Sequence, residues 1–208
     1  MKLIGNFLSP FARRVAVSLN VLNISYDLEN ILAFDNPERI QPHNPLSRVP
    51  TLILDDGEVL VESYAILDYL DEIAVGKKRL IPAKGSERRR VMKDTAIGVG
   101  CMDRAQWAAY EYRHRPPEKV HEPWAQHNDA KALAGLNFLD GLAAFAGTTG
   151  WLSGTDVITQ SDITAAVAYS FIDKVRPNLN LTAAVPALSA FAQRCESMPP
   201  FLASPVPH

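Results

Sequence analysis

The sequence predicts a small α/β domain followed by an all-α domain, on three observations. Strand and helix periods alternate over the first ~80 residues in the order β-α-β-loop-β-β-α. Composition then shifts to Gly, Lys, Pro and Ser around Lys77–Ser86, the mark of a linker. Beyond it no strand pattern returns, and apolar residues recur at helical spacing. The expected boundaries are 1–79 for the α/β domain, 80–86 for the linker and 87–208 for the helical domain.

The elements follow in order. Leu3-Ile4 is a short apolar run that stops at Gly5-Asn6. Ser9-Pro10 opens a helix, Ser being a favoured N-cap and Pro a favoured first helical residue. Phe11, Val15, Leu19 and Leu22 then recur at helical spacing. Ile24, Tyr26 and Leu28 alternate with polar residues as in a half-buried strand. Residues 33–48, rich in Pro, Asn and charge, read as loop with at most a short helix. Val49–Leu54 is a β-type run, Asp56-Gly57 a hairpin signal with positive φ expected at both central residues, and Val59-Leu60-Val61 the return strand. Glu62-Ser63 precedes the helical run Tyr64–Leu70. In the second half, helices are expected over Glu87–Tyr112, ended by Pro116-Pro117, and over Trp124–Phe145. A third starts at the capping-box-like Thr159-x-x-Asp162, and a last one runs from Pro186 to a stop at Pro199-Pro200.

Composition excludes several functions. Lys plus Arg number 21 and Asp plus Glu 23, a net charge of −2. That near-neutral total gives no support for nucleic acid or an anionic membrane as the main partner. The run Glu87-Arg88-Arg89-Arg90 reads as a solvated helix face. No apolar stretch approaches the ~18 residues that span a bilayer, and Asn6, Ser9 and Arg13-Arg14 interrupt any signal-peptide core. Hydrophobic residues make up 47% of the chain and charged ones 21%, ordinary for a soluble protein with a real core. Cys101 and Cys195 stand far apart, and histidines 43, 114, 121, 127 and 208 form no metal spacing. No metal is expected, and a reducing cytoplasm is the default compartment.

Ser9 sits where a helix N-terminus polarises its surroundings positively, a geometry that suits an anion or simply caps the helix. For Glu62-Ser63 the plain reading is simple helix capping. Individually weak, these signals carry weight in their order. An α/β unit with Ser-Pro-Phe at its first helix, Val-Pro at its third strand and Glu-Ser at its last helix resembles the glutathione transferase family. Trp151–Asp162 resembles that family's helix-capping segment, and Pro186–Pro199 its late helix and stop. Ser-Pro-Phe-Ala-Arg-Arg is most similar to the tau and omega classes, omega carrying Cys where Ser9 stands.

The resemblance implies a thioredoxin-like N-terminal domain that binds glutathione as co-substrate, an all-α C-terminal domain that shapes the second-substrate pocket, and a homodimer. Residue by residue, it makes Ser9 the thiol-activating hydroxyl. Val49, before a cis Pro50, pairs its backbone with the cysteinyl part of glutathione. Glu62 and Ser63 hold the γ-glutamyl end, and Arg48 lies near the glycyl carboxylate. The implied reaction is attack of the glutathione thiolate on a small electrophilic, largely apolar acceptor. Isomerisation, peroxide reduction, thiol exchange or a non-catalytic binding module are the alternatives. Thiol exchange is disfavoured because Ser cannot form the mixed disulfide that Cys could; zeta-type isomerisation, because the Ser-Ser-Cys pattern is missing.

A free thiol with pKa ~8.5 is only a few per cent ionised at neutral pH. Ser9 cannot act as its base, a hydroxyl being far less acidic than a thiol, but it can donate to the sulfur anion. A depression of ~2 units needs about 2.7 kcal/mol, within reach of one charge-assisted bond plus the helix dipole. Asn6 could share this role. Arg13-Arg14 add positive charge nearby, although helix-surface arginines are commonly solvated. Trp107, Tyr110 and Tyr112 fall where the family lines its acceptor pocket, and read as core.

Overall fold

The structure, a computed structural model, describes residues 1–74 and 79–207. Residues 77 and 78 of the linker signature lie outside the described residues, as does His208.

Two compact units emerge: Met1–Leu80 with Ser197–His208, and Ile81–Glu196. The first contains β1 (Lys2–Gly5), α1 (Pro10–Leu22), β2 (Asp27–Asn30), α2 (Pro37–Ile40), β3 (Thr51–Ile53), β4 (Val59–Val61) and α3 (Ser63–Ile73). Its sheet runs β2-β1-β3-β4, with β1 and β2 parallel and the other neighbours antiparallel. The parallel pair requires a crossover, which α1 provides. This is the thioredoxin-like arrangement that the resemblance implied. Ile4, Ile31 and Ile40 form one buried cluster, while Val15, Leu19 and Leu22 bury the apolar stripe of α1.

Local departures from the sequence reading have local causes. The second strand begins three residues later than Ile24, because Asn23 ends α1 in the left-handed region (φ 54°) and Ile24 N–H donates back to Leu19. At the hairpin only Gly57 has positive φ (91°). The link spans Leu54–Glu58, closed by Leu54 N–H to Glu58 C=O, so it is longer than a two-residue turn.

The second unit is helical: α4 (Gly85–His114), α5 (Glu122–Ala146), α6 (Gln160–Val175), α7 (Leu181–Ala184) and α8 (Pro186–Glu196). Residues 160–169 of α6 are buried without interruption, which marks it as the central helix. Its start is a capping box. Asp162 accepts from the Thr159 N–H and hydroxyl at 2.8 and 2.7 Å, and from Leu152 N–H at 2.8 Å. Trp107 and Tyr112, expected in the core, are exposed on α4 (55% and 39%).

Pro199-Pro200 does more than stop a helix. It opens a further one, α9 (Pro199–Leu202), with proline in its first turn. This segment belongs to the first unit rather than to the helical domain expected over 87–208. Arg13 Nε donates to Ser204 C=O at 2.7 Å, and Asn20 Nδ2 donates to Pro200 C=O at 2.9 Å. Phe201 and Ser204 are fully buried.

Candidate functional site

Strand register decides what the sheet can assemble at one end. Ile4 lies opposite Thr51, Thr51 opposite Val61, and Gly5 beside Asn30. The end of β1, the start of β3 and the ends of β4 and β2 therefore share one edge. Ser9 follows β1, Val49-Pro50 precedes β3, and Glu62-Ser63 follows β4. Segments 13 to 53 residues apart in sequence thus meet at the carboxyl end of the parallel pair, the usual side for ligands in such sheets. Gly5 permits the approach: a Cβ there would stand 2.8 Å from Ala12 Cβ and 3.7 Å from Val49 Cβ.

Ser9 is the half-buried N-cap of α1. Its Oγ accepts from Ala12 N–H at 3.4 Å. A hydroxyl has one proton besides its lone pairs, so capping leaves the O–H able to donate elsewhere. The two readings of Ser9 are therefore compatible. Asn6 is engaged at both ends of its amide. Its Oδ1 accepts from Leu8 N–H and its Nδ2 donates to Asn30 Oδ1, both at 2.7 Å. It shapes the turn that delivers Ser9.

The Val49–Pro50 peptide is cis. Among the described residues, none bonds to the Val49 N–H or C=O, so this backbone can receive an extended peptide as an added strand. Glu62 stands between β4 and α3 with φ 66° and ψ 131°, a conformation that costs a non-glycine residue of order 1–3 kcal/mol. Its carboxylate meets Arg48 Nη1 at 3.1 Å, both side chains about half exposed. The two residues expected at opposite ends of a tripeptide are thus in contact here.

Ser63, the first residue of α3, is buried and accepts from Arg14 Nε at 3.1 Å and Nη2 at 2.7 Å. Here the sequence reading of Arg13-Arg14 as solvated needs correction, since both are buried. Arg13 holds the Ser204 carbonyl and Arg14 reaches the α3 N-terminus. Arg14 is the residue that sequence reasoning undervalued. The available signal was the helical phase: Arg14 lies four residues before Ser18, which is also buried, and Ser18 Oγ donates back to Arg14 C=O. Among the described residues, no group of three His, Cys, Asp or Glu side chains could hold a metal ion. None of their helices is long and apolar enough to cross a membrane.

Known proteins resemble this chain in sequence and in fold. The family model described as Glutathione S-transferase, N-terminal domain, matches residues 3–78. An uncharacterised GST-like protein of Escherichia coli, YibF, is 28% identical over 173 residues, 83% of this chain and 82% of its own. Glutathione S-transferase U3 of Arabidopsis thaliana is 38% identical over 74 residues, 35% of this chain and 32% of its own. The crystal structure of a glutathione transferase family member from Pseudomonas fluorescens Pf-5, with bound glutathione, superposes with a TM-score of 0.89 at 30% identity. That match covers 100% of this chain and 99% of the other. A likeness extending over both chains, with the family's own pattern in the α/β unit, leaves one assignment: the chain belongs to the glutathione S-transferase family.

Proposed function

We propose that the protein binds glutathione at this sheet edge and presents its thiolate to a small electrophilic, largely apolar acceptor. The observation that carries this reading is the convergence of a donor hydroxyl at a helix N-terminus, an unpaired strand-edge backbone and a second helix N-terminus. A tripeptide with a thiol between two carboxylate ends needs those three elements. Bound glutathione in the Pseudomonas fluorescens relative supports it. Val49 pairs with the cysteinyl backbone. Glu62 meets the γ-glutamyl ammonium, Ser63 its carboxylate, and Arg48 the glycyl carboxylate. Ser9 donates to the sulfur anion, and the α1 dipole adds to that stabilisation. The Arg48–Glu62 ion pair then opens so that each meets its own ligand charge; being half exposed, it is worth no more than about 1 kcal/mol. Serine at position 9 favours transfer over thiol exchange. The same reading includes a tau- or omega-like subtype, a cytoplasmic homodimer and a role in detoxification.

Titrating the purified protein with glutathione, then following thiolate ultraviolet absorbance against pH, tests this. Saturable binding is expected, with the bound thiol ionising ~2 units below its free value of ~8.5. Binding without that depression would remove the transferase mechanism. Absence of binding at millimolar glutathione would leave a non-catalytic interaction module.

A further inference from the structure

Arg14 is fully buried within α1, yet its side chain ends at the first residue of α3. Both donors on one edge of its guanidinium converge on a single oxygen, Ser63 Oγ, at 3.1 and 2.7 Å. The Tyr64 ring lies against the guanidinium, 4.7 Å from ring centroid to Arg14 Cζ. A hydroxyl offers two acceptor lone pairs and one proton. Two N–H donors from a cation fill the acceptor side and polarise the O–H bond, so Ser63 has only its proton left to offer. Such a hydroxyl reads an acceptor and cannot serve a donor.

Resting on the glutathione reading above, we propose that Arg14 is the positioning residue of the γ-glutamyl carboxylate subsite. By holding Ser63 as an obligate donor, and by placing a buried positive charge behind it, Arg14 selects a carboxylate over an uncharged amide at that end of the ligand. Arg14 does this through Ser63. A guanidinium is needed because its rigid fork delivers two N–H groups to one atom, whereas the lysine ammonium is a point charge on a flexible stem.

A protein-by-ligand cycle tests the role. Glutathione, its analogue with a carboxamide in place of the γ-glutamyl carboxylate, and γ-glutamylcysteine (which lacks the glycyl end) are each titrated calorimetrically. The proteins are wild type, Arg14→Gln and Arg14→Lys. Wild type is expected to prefer glutathione to the carboxamide by roughly 10- to 100-fold, the range of a charge-assisted hydrogen bond. Arg14→Gln is expected to lose most of that preference, and Arg14→Lys part of it. The ratio between glutathione and γ-glutamylcysteine should stay unchanged in all three proteins. Should Arg14→Gln fail to fold by circular dichroism, the lysine variant, which keeps the buried cation, carries the test alone.

An undiminished carboxylate preference in the folded variants would overturn the role. So would an equal loss of affinity for all three ligands, which is what a purely structural arginine would produce. If wild type binds no glutathione, the functional reading fails together with this one; binding with an Arg14-independent preference overturns this one alone.

Discussion

At the scale of single residues, the proposed glutathione site rests on how two serine hydroxyls divide their hydrogen-bonding capacity. Ser9 uses a lone pair to cap α1, and Ser63 uses its lone pairs to take Arg14, leaving each proton for a ligand. The division predicts what Ser9→Ala does. The helix should lose about 1 kcal/mol or less, because the capping bond at 3.4 Å is long. Conjugation should fall much further, by roughly 10- to 100-fold in kcat/KM at neutral pH, the worth of one bond to a charged group. The bound thiol pKa rises when its donor is removed, so the shortfall should narrow as pH is raised toward 9. A deficit constant across pH would mean that Ser9 acts on something other than thiol ionisation. Thermal melts and a pH–rate profile of the variant measure both effects.

Elements show how local chemistry fixes their boundaries and where pattern alone misleads. Asp162 is fully buried and accepts two N–H groups and a hydroxyl. Burial pushes its carboxyl above the usual range, and these bonds oppose the shift. Asp162→Ala would strand the Leu152 and Thr159 N–H groups inside the helical unit. The expected cost is at least ~3 kcal/mol, read as a fall in urea midpoint at unchanged m-value. Asp162→Asn, which retains one carbonyl acceptor, should cost less. The Thr159-x-x-Asp162 start was legible in the sequence because capping is a contact between near neighbours. Ser9-Pro10 and the hydrophobic stripe of α1 were legible for the same reason. Burial of Arg13 and Arg14 was not. Their partners, the Ser204 carbonyl and the Ser63 hydroxyl, stand 191 and 49 residues away and leave no local trace. The Arg48–Glu62 pair was likewise hidden, since only strand register brings positions 48 and 62 together. Pro199-Pro200 misled for a different reason: proline ends one helix and suits the first turn of the next equally well.

Across the whole molecule, the two cysteines report on packing. Cys101 and Cys195 are buried, one in α4 and one in α8, and burial pushes both thiols up to about 12. In an unfolded chain a thiol ionises near ~8.5. Folded protein therefore keeps protons that unfolded protein releases, so these groups lower stability progressively from about pH 9 to pH 12. A thiol reagent such as dithionitrobenzoate at pH 8 should find neither cysteine in native protein and both in denaturant. Rapid reaction of either in the native state would contradict the burial. Replacing both by alanine should make the alkaline fall in stability shallower.

The return of residues 197–204 to the first unit has a consequence for synthesis. A ribosome makes the sheet, α1 and α3 early, yet the Ser204 carbonyl that Arg13 meets and the Pro200 carbonyl that Asn20 meets leave the exit tunnel only after the helical unit has been made. Residues 81–196 form a unit of their own in the interval. The α/β unit, first to be translated, is completed only after the helical unit has been made. Nascent chains stalled before Ser197 should therefore be more readily cleaved by protease within their first 80 residues than in the helical unit that follows.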